Sequence, residues 1–345
     1  MNATSDTPHS FPSHAPLLAS TRGVAGSEAV ECVHYGSLAI VDAAGALVAA
    51  VGDAGGMNFS RSTLKPLQAL PFVEDGGLAR FGFGSQELAL FCSSHSGESV
   101  HVAIVQSVLD RIGASVRDLQ CGCHRPRYFT ATATPCPPAL RISALHHNCS
   151  GKHSGFLAYC RMHDQPLANY LDPDAPLQVR IRNTVQAYCP ERPLVPGTDG
   201  CSAPNFALPL RRLAQAYCQL ACGDAPALRA LYFAMTRHPD LVSGTARADL
   251  AIMQTGQGDW VSKIGADGLQ AIGVRSKGLG IAIRVAGGDA AALHATTAEV
   301  LHQTGLLDEP LCSPLASSFR PALRNARGLT TGHLLALFRL PRLCA

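Results

Sequence analysis

The sequence is poor in lysine. Its 28 Lys and Arg residues include only four lysines, at positions 65, 152, 263 and 277. Arginine stays protonated in proteins, whereas a lysine can lose its proton and act as a base, a nucleophile or a metal ligand. Because arginine supplies nearly all of the positive charge, each lysine is a candidate functional residue.

Other features that the sequence lacks exclude whole classes of protein. No apolar run approaches about 20 residues, so no membrane-spanning helix is expected. The net charge is only +3, and no basic cluster is interleaved with aromatic residues, so nucleic acid is not an expected partner. Residues 1–14 are polar and rich in Pro and Ser, without the basic and apolar segments of a secretory signal, and we expect a disordered lead-in.

The sequence has thirteen cysteines but shows no export signal. Disulfides persist mainly in oxidising compartments, so this pattern favours a reduced, cytoplasmic location. Most of the thiols are then expected to be small buried hydrophobic groups, with a few available as metal ligands.

Strand patterns stand at both ends of the chain, with helical patterns between them. The segments SLAIVD and ALVAAV flank a Gly-containing turn and predict a hairpin, and short strands return from Trp260 to Val285. This order predicts an α+β fold in one domain, residues 15–345, with a helical insert at about 66–255. The terminal strands would form one antiparallel sheet covered by helices, which brings Lys263 close to the first helix.

Within the insert, residues 100–112 predict an amphipathic helix that ends at Gly113. Apolar spacing also predicts a helix over Phe206–Tyr217. Residues 122–138 are rich in Pro, Thr and Cys and predict a long loop.

The stretch RSTLKP, residues 61–66, contains a Ser-x-x-Lys pattern. On a helix the i, i+3 spacing places Ser62 and Lys65 on one face, and Pro66 is tolerated only in the first turn. A serine at such a position faces free backbone N–H groups, which suits a nucleophile and its oxyanion. The alternative is a purely structural role, with a helix-capping serine followed by a surface lysine.

Two further segments strengthen the catalytic interpretation. CSSHSGE places Ser94 and Ser96 in a loop, and Lys263-Ile264-Gly265 lies on a predicted strand. In this order the three segments resemble the Ser-x-x-Lys, Ser-x-Asn and Lys-Thr-Gly motifs of serine β-lactamases and penicillin-binding proteins. The second and third segments depart from those motifs, which favours the same acyl-enzyme chemistry on a different substrate.

A cysteine–lysine cluster forms a second candidate site. HHNCSGKH contains Cys149, and GTDGCSAP holds Cys201 on a turn between glycines and a proline. The two thiols could share a zinc ion with a nitrogen ligand from His153 or Lys152, and spacing alone favours His153. Two buried cysteines without metal are the alternative, and Cys121-Gly-Cys123-His124 is a weaker rival motif.

Together, RSTLKP, CSSHSGE, HHNCSGKH, GTDGCSAP, SGTARAD and KIGADG resemble the rhizobial-type (class 3) bacterial L-asparaginases, the asparaginase II family. The resemblance runs from about residue 15 to residue 307. It implies a β-lactamase-like fold, hydrolysis of L-asparagine to L-aspartate and ammonia, and a homodimer. The segment 121–138 departs from the family pattern.

The resemblance also implies roles for individual residues. It implies two Ser–Lys pairs, substrate-binding residues in the pocket and a zinc ion held by two cysteines and a lysine. These positions correspond here to the pairs Ser62–Lys65 and Ser94–Lys263, the pocket residues Arg61, His153 and Asp199, and the zinc ligands Cys149, Lys152 and Cys201. The family thus favours Lys152 over His153 as the nitrogen ligand.

The expected chemistry is double displacement, in which neutral Lys65 takes the proton of Ser62 and the serine attacks the side-chain amide. An alternative within the same fold makes Ser94 the nucleophile. A related amidohydrolase acting on glutamine or a β-lactam, and a catalytically silent zinc or amino-acid binding protein, remain alternative functions.

Overall fold

The structure, a computed structural model, describes residues 12–24, 27–190 and 194–343. Its strands in chain order are β1 (Ala15–Val24), β2 (Ser27–Val41), β3 (Leu47–Val51), β4 (Met57–Phe59), β5 (Val195–Thr198), β6 (Pro204–Pro209), β7 (Trp260–Gly265), β8 (Leu269–Val274), β9 (Leu279–Val285), β10 (Ala322–Arg324) and β11 (Thr330–Ala336).

The helices are α1 (Lys65–Glu74), α2 (Gly77–Phe81), α3 (Ser85–Phe91), α4 (Ser99–Arg111), α5 (Arg127–Ala131), α6 (Ser150–Met162), α7 (Pro176–Tyr188), α8 (Leu210–Cys222), α9 (Pro226–Arg237), α10 (Pro239–Val242), α11 (Ala248–Thr255) and α12 (Ala290–Gln303). A 3₁₀ turn, Arg61–Leu64, leads directly into α1.

One antiparallel sheet joins the two ends of the chain. Its strand order is β10-β11-β1-β2-β9-β8-β7, and β3 pairs with the stretch of β2 that also pairs with β9. The predicted α+β class, the β2–β3 hairpin and the shared sheet of terminal strands are therefore confirmed. A second, three-stranded sheet has the order β4-β6-β5.

The part of the large sheet formed by β7, β8 and β9 is buried on both faces. One apolar cluster packs its strands against α12, and a larger one joins the other face to the helices of the central segment. Helix α8 lies directly on β8 and β9 because Gly273 and Gly280 have no side chain. A Cβ at either glycine would lie 2.2 Å from the Tyr217 carbonyl oxygen or 1.9 Å from that of Ala214.

Two predictions about the central segment differ from the structure. The helix predicted over Phe206–Tyr217 is wrong in its first part, because 204–209 is the middle strand of the small sheet and α8 begins only at Leu210. Every residue of β6 is buried, and most are apolar, so the strand lacks the alternation of a half-exposed strand and can be mistaken for a buried helix. The predicted loop 122–138 contains one short helix, α5.

The helix predicted over 100–112 is confirmed as α4, which ends at Arg111, two residues before Gly113, whose φ is +63°. Among the described residues, no helix is both long and apolar enough to cross a membrane. Residues 1–11 of the predicted lead-in lie outside the described residues, and the single domain 15–345 stays a prediction.

Candidate active site

The Ser62 hydroxyl is positioned by an unusual backbone conformation at the residue before it. Arg61 has a φ of +49°, in the left-handed region that residues with a side chain rarely adopt. Asn205 on β6 holds this conformation, since its Oδ1 accepts from the Arg61 N–H (2.9 Å) and its Nδ2 donates to the Arg61 carbonyl (3.1 Å). Strain held in this way is typical of functional sites.

Lys65, the first residue of α1, is completely buried behind Ser62. Its ammonium donates to the Ser93 carbonyl and, at 2.9 Å, to the Ser94 hydroxyl. Within the described residues, no hydrogen bond joins Lys65 Nζ to Ser62 Oγ. The loop after α3 thus turns Ser94 toward the lysine that the sequence associates with Ser62.

Lys263 on β7 is also completely buried, and its partner is a carboxylate. Its Nζ lies 3.2 Å from Asp249 Oδ2 and 2.9 Å from the Ile264 carbonyl oxygen. Burial lowers the pKa of Lys263 to about 8, against the charge of Asp249, and the charge of Lys65 lowers it further. The family resemblance predicts a Ser94–Lys263 pair, whereas the hydrogen-bond partners of Lys263 Nζ among the described residues are Asp249 and the Ile264 carbonyl oxygen.

Asp249 accepts hydrogen bonds from several buried groups besides Lys263. Its carboxylate also accepts from Ser262 Oγ (2.8 Å), the Ile264 N–H (2.9 Å) and Gln270 Nε2 (3.1 Å). Burial opposes ionisation of this carboxyl, but the charge of Lys263 and these hydrogen bonds together hold its pKa below the ordinary value. Asp249 therefore remains anionic and fixes the position of Lys263.

Both serines open into one cavity of about 370 Å³. Its wall includes Ser62, Ser94, Asn148 and Gly265 at the end of β7. Pockets of this size hold small molecules, and a glycine at the wall lets a ligand approach the backbone. Lys65 and Lys263 are completely buried and do not line this cavity.

The thiols of Cys149 and Cys201 meet at the start of α6, where both are almost completely buried. Lys152 Nζ donates to Cys201 Sγ at 3.0 Å. A hydrogen bond with Cys201 lowers the pKa of Cys149 well below its usual range; burial opposes this, and the charges of Lys65 and Lys152 reinforce it. Cys201 thus contacts both of the other residues predicted as zinc ligands.

This donor set fits a zinc ion. Thiolates and a nitrogen are the ligands that zinc prefers. Burial opposes protonation of Lys152, but the charges of Cys201 and Cys149 raise its pKa, so a metal would have to displace the lysine proton. Among the described residues, no group of three or more His, Cys, Asp or Glu side chains is placed to hold a metal. The Cys149–Lys152–Cys201 set is a different kind of group, because its third member is a lysine.

His153 lies beside the thiols, between Tyr170 and Cys201. Its Nδ1 is 2.7 Å from the Tyr170 hydroxyl. Burial lowers the pKa of His153 to about 4, and a hydrogen bond with Cys201 opposes this. A neutral ring at this position suits a pocket residue.

The rival motif at residues 121–124 is divided by the fold. Cys121 is buried, Cys123 is exposed, and His124 bonds Asn148 through Nε2 (2.9 Å). These three side chains do not form a metal-binding group in the described part of the chain.

Arg61 and Asp199 form an ion pair at the edge of the site. Arg61 Nε lies 2.8 Å from Asp199 Oδ1, and its NH1 contacts Asp267 of the β7–β8 turn. Burial opposes ionisation of Asp199, but Lys152, the Gly200 N–H and Arg61 hold its pKa below the ordinary value. The pair connects the Ser62 turn to the strand turn that carries Cys201.

Comparison with known proteins agrees with these motifs. The family described as L-asparaginase II matches residues 23–336. The chain belongs to this family. Asparaginase II membership makes the protein an amidohydrolase by class, while its individual substrate is not fixed by membership.

Among solved structures, a β-lactamase from Mycobacterium bovis is similar to this chain. The two are 13% identical, and the match covers 78% of this chain and 94% of the other, with a TM-score of 0.34. No curated protein matches the sequence.

Sequence reasoning missed two residues that organise this asparaginase II site. Asn205 lies just beyond the GTDGCSAP segment, and Asp249 lies within SGTARAD. The second segment was part of the family resemblance, but nothing in its spacing indicates that its aspartate meets Lys263. Their partners are 144 and 14 residues away in sequence.

Proposed function

We propose that this protein is an L-asparaginase that hydrolyses the side-chain amide of L-asparagine to L-aspartate and ammonia. The observation that carries the proposal is the single cavity into which Ser62 and Ser94 both open, with Lys65 hydrogen-bonded to Ser94 behind them. Family membership supports an amide as the scissile group.

In the proposed mechanism, Ser62 is the nucleophile because it is more exposed than Ser94. It also follows directly after Arg61, whose backbone conformation is held by Asn205. Neutral Lys65 accepts the Ser62 proton, and Ser62 Oγ forms an ester with the substrate's side-chain carbonyl carbon. The lysine returns the proton to the departing nitrogen, so ammonia leaves. Water then attacks the ester with the same lysine as base, which releases aspartate and restores Ser62.

Ser94 and Lys263 support this reaction. Ser94 Oγ accepts a hydrogen bond from Lys65 Nζ at 2.9 Å and keeps that side chain close to the serines. Lys263 is completely buried, and it lies near enough to Lys65 for the charge of Lys65 to lower the pKa of Lys263. Ser94 as nucleophile remains the alternative, because it has the direct hydrogen bond with Lys65.

Zinc belongs to the same proposal. Cys149, Lys152 and Cys201 would hold the ion, which would supply a fixed positive charge beside the reaction site. A homodimer and a cytoplasmic location, which the family resemblance and the cysteine usage suggest, are also proposed.

The test compares Ser62→Ala and Ser94→Ala with the wild-type protein in ammonia release from L-asparagine, with L-glutamine and a chromogenic cephalosporin assayed alongside. We expect Ser62→Ala to abolish measurable turnover. Mass spectrometry of the acid-quenched wild-type enzyme should find the acyl group on the peptide containing Ser62.

Ser99→Ala, at an exposed serine of α4, is the matched control and should keep full activity. An acyl group on Ser94, or full activity in Ser62→Ala, would reject the assignment of Ser62. Turnover of glutamine or cephalosporin in place of asparagine would reject the substrate.

A further inference from the structure

Two arginines line the serine cavity, and neither has a role in the chemistry described above. Arg127 is the first residue of α5, and Arg247 immediately precedes α11. Both line the same cavity of about 370 Å³ as Ser62 and Ser94. Arg127 is exposed, and Arg247 is half-buried.

Neither guanidinium has an anionic partner within the described residues, where no ion pair or side-chain hydrogen bond is formed by Arg127 or Arg247. Burial lowers the pKa of Arg247, and the charge of Arg127 lowers it further, while Asp249 opposes both. The Asp249 carboxylate is already bonded by Lys263, Ser262 and Gln270. Asp267 also lines the cavity, but its carboxylate is paired with Arg61. Arg127 and Arg247 therefore have no anionic partner of their own on the described cavity wall.

A third group on the same wall also lacks a partner. His294 of α12 lines the cavity, and its buried Nε2 has no hydrogen-bond partner among the described residues. A buried polar atom left unpaired costs about 1–3 kcal/mol, so such atoms are usually bonded to water or a ligand. This nitrogen independently indicates that a polar group binds beside Arg247.

Helix α5 holds Arg127 at a fixed place relative to the serines. The Tyr128 N–H donates to the Ser96 carbonyl oxygen at 3.0 Å, which joins α5 to the loop that carries Ser94. Pro126 packs on Gly97, where an added Cβ would lie 3.1 Å from the proline Cβ. The Cys- and Pro-rich segment thus covers the site and supplies a cation to it.

We infer that Arg127 and Arg247 form the subsite that binds the α-carboxylate of the substrate, with His294 as an additional hydrogen-bonding group. The planar guanidinium matches a carboxylate in two parallel hydrogen bonds, and a bound carboxylate would supply the anionic partner that Arg127 and Arg247 lack. This inference rests on the proposed function for the identity of the substrate. It makes the enzyme selective for amides that carry a free carboxylate.

The first experiment measures binding without chemistry. Titration calorimetry with L-aspartate and with succinate is performed on the wild-type protein, Arg247→Gln, Arg127→Gln and Arg247→Lys. Loss of one charged hydrogen-bonding group should weaken binding of both dicarboxylates roughly tenfold to a hundredfold, and Arg247→Lys should recover part of the loss. Arg125→Gln and Arg229→Gln, at exposed arginines outside the cavity, should bind like the wild type.

The second experiment separates binding from chemistry in turnover. We expect Arg247→Gln to raise KM for L-asparagine roughly tenfold to a hundredfold while kcat changes little. The same variant should turn over L-aspartic acid diamide, in which the α-carboxylate is replaced by an amide, as well as the wild type does. Thermal unfolding of each variant checks the fold, and Arg247→Lys keeps the test valid if Arg247→Gln fails to fold.

The outcomes distinguish the two proposals. If wild-type protein releases no ammonia but binds dicarboxylates through these arginines, the asparaginase proposal fails and the carboxylate subsite stands. If both arginine variants bind L-aspartate as tightly as the wild type, or if the wild type binds neither dicarboxylate, the subsite is wrong.

Discussion

Two buried lysines in this protein lie next to negatively charged groups, and their pKa values are shifted in opposite directions. Lys263 meets the Asp249 carboxylate, and its pKa is lowered to about 8; Lys152 meets two thiols, and its pKa is raised. Both side chains are at most 2% exposed. Burial alone therefore does not decide the charge of either lysine.

The difference lies in how the partner anion is shared. Asp249 divides its two oxygens among Lys263 and three other donors, and Lys65 adds a nearby positive charge. The charges of Cys201, Cys149 and Asp199 all raise the pKa of Lys152. The charge of Lys263 therefore changes with pH near 8, close to Lys65, whereas the thiol-bound Lys152 lies where a metal ion would compete with its proton.

The largest expected effect is that of Asp249→Asn, which removes the carboxylate that pairs with Lys263. Breaking a buried pair leaves an uncompensated charge, so we expect a loss of roughly 3–5 kcal/mol in the free energy of unfolding. Chemical denaturation measures this loss. Asp224→Asn, at an exposed aspartate after α8, should leave stability unchanged.

The same variant changes the pH dependence in a defined direction. Asp249 raises the pKa of Lys263, while Lys65 and Arg247 lower it, so removing Asp249 moves the inflection of kcat/KM from about pH 8 to lower pH. In the wild type the folded pKa lies below the ordinary 10.5, so this lysine's contribution to stability increases from about pH 8 to 10.5. An unmoved inflection would contradict the assignment to Lys263.

The next prediction concerns zinc binding by Lys152 and its two neighbouring cysteines. We expect the wild-type protein to bind zinc and Cys201→Ala to bind it more than roughly a hundredfold more weakly, because loss of even an outer partner of a metal site costs ten- to a hundredfold. Metal analysis of dialysed protein measures this. Cys189→Ala, at a buried thiol that contacts the Arg212 carbonyl oxygen, is the matched control. Equal zinc content in both variants would disprove the site.

The smallest expected effect concerns the connection between the two clusters. Asn205→Ala removes both partners of the Arg61 backbone and should cost about 1–3 kcal/mol in the free energy of unfolding. Arg61→Gly in the same background should recover part of this, because glycine adopts a positive φ without strain. Asn58→Ala, at a buried asparagine of β4 that bonds the Gly56 carbonyl, should show no such recovery.

Much of the fold was predictable from local pattern. The β2–β3 hairpin and α4 have clear turn, end and periodicity signals, and the structure confirms both. Strand β6 was predicted as helix because it is buried on all sides, and its neighbours come from distant parts of the chain. Helix α5 was missed because its five residues are too few to show a period.

For the site, sequence motifs located the reactive groups but not their partners. Ser62, Lys65, Ser94 and Cys149 all occur in recognisable segments. The hydrogen bond from Lys65 to Ser94 depends on how the loop after α3 packs, and the position of Arg127 depends on how α5 packs against that loop. No spacing within a motif carries that information.

The sequence by itself determined which chemical groups this protein has available: scarce lysines, serines beside them and two cysteines on turns. It also determined the class of fold, because strand and helix periodicities are local properties of the chain. Only the tertiary structure decided which anion each lysine meets and how burial and shared hydrogen bonds set its charge. These depend on contacts between residues far apart in sequence, and electrostatic energies depend on distance and burial and not on order along the chain.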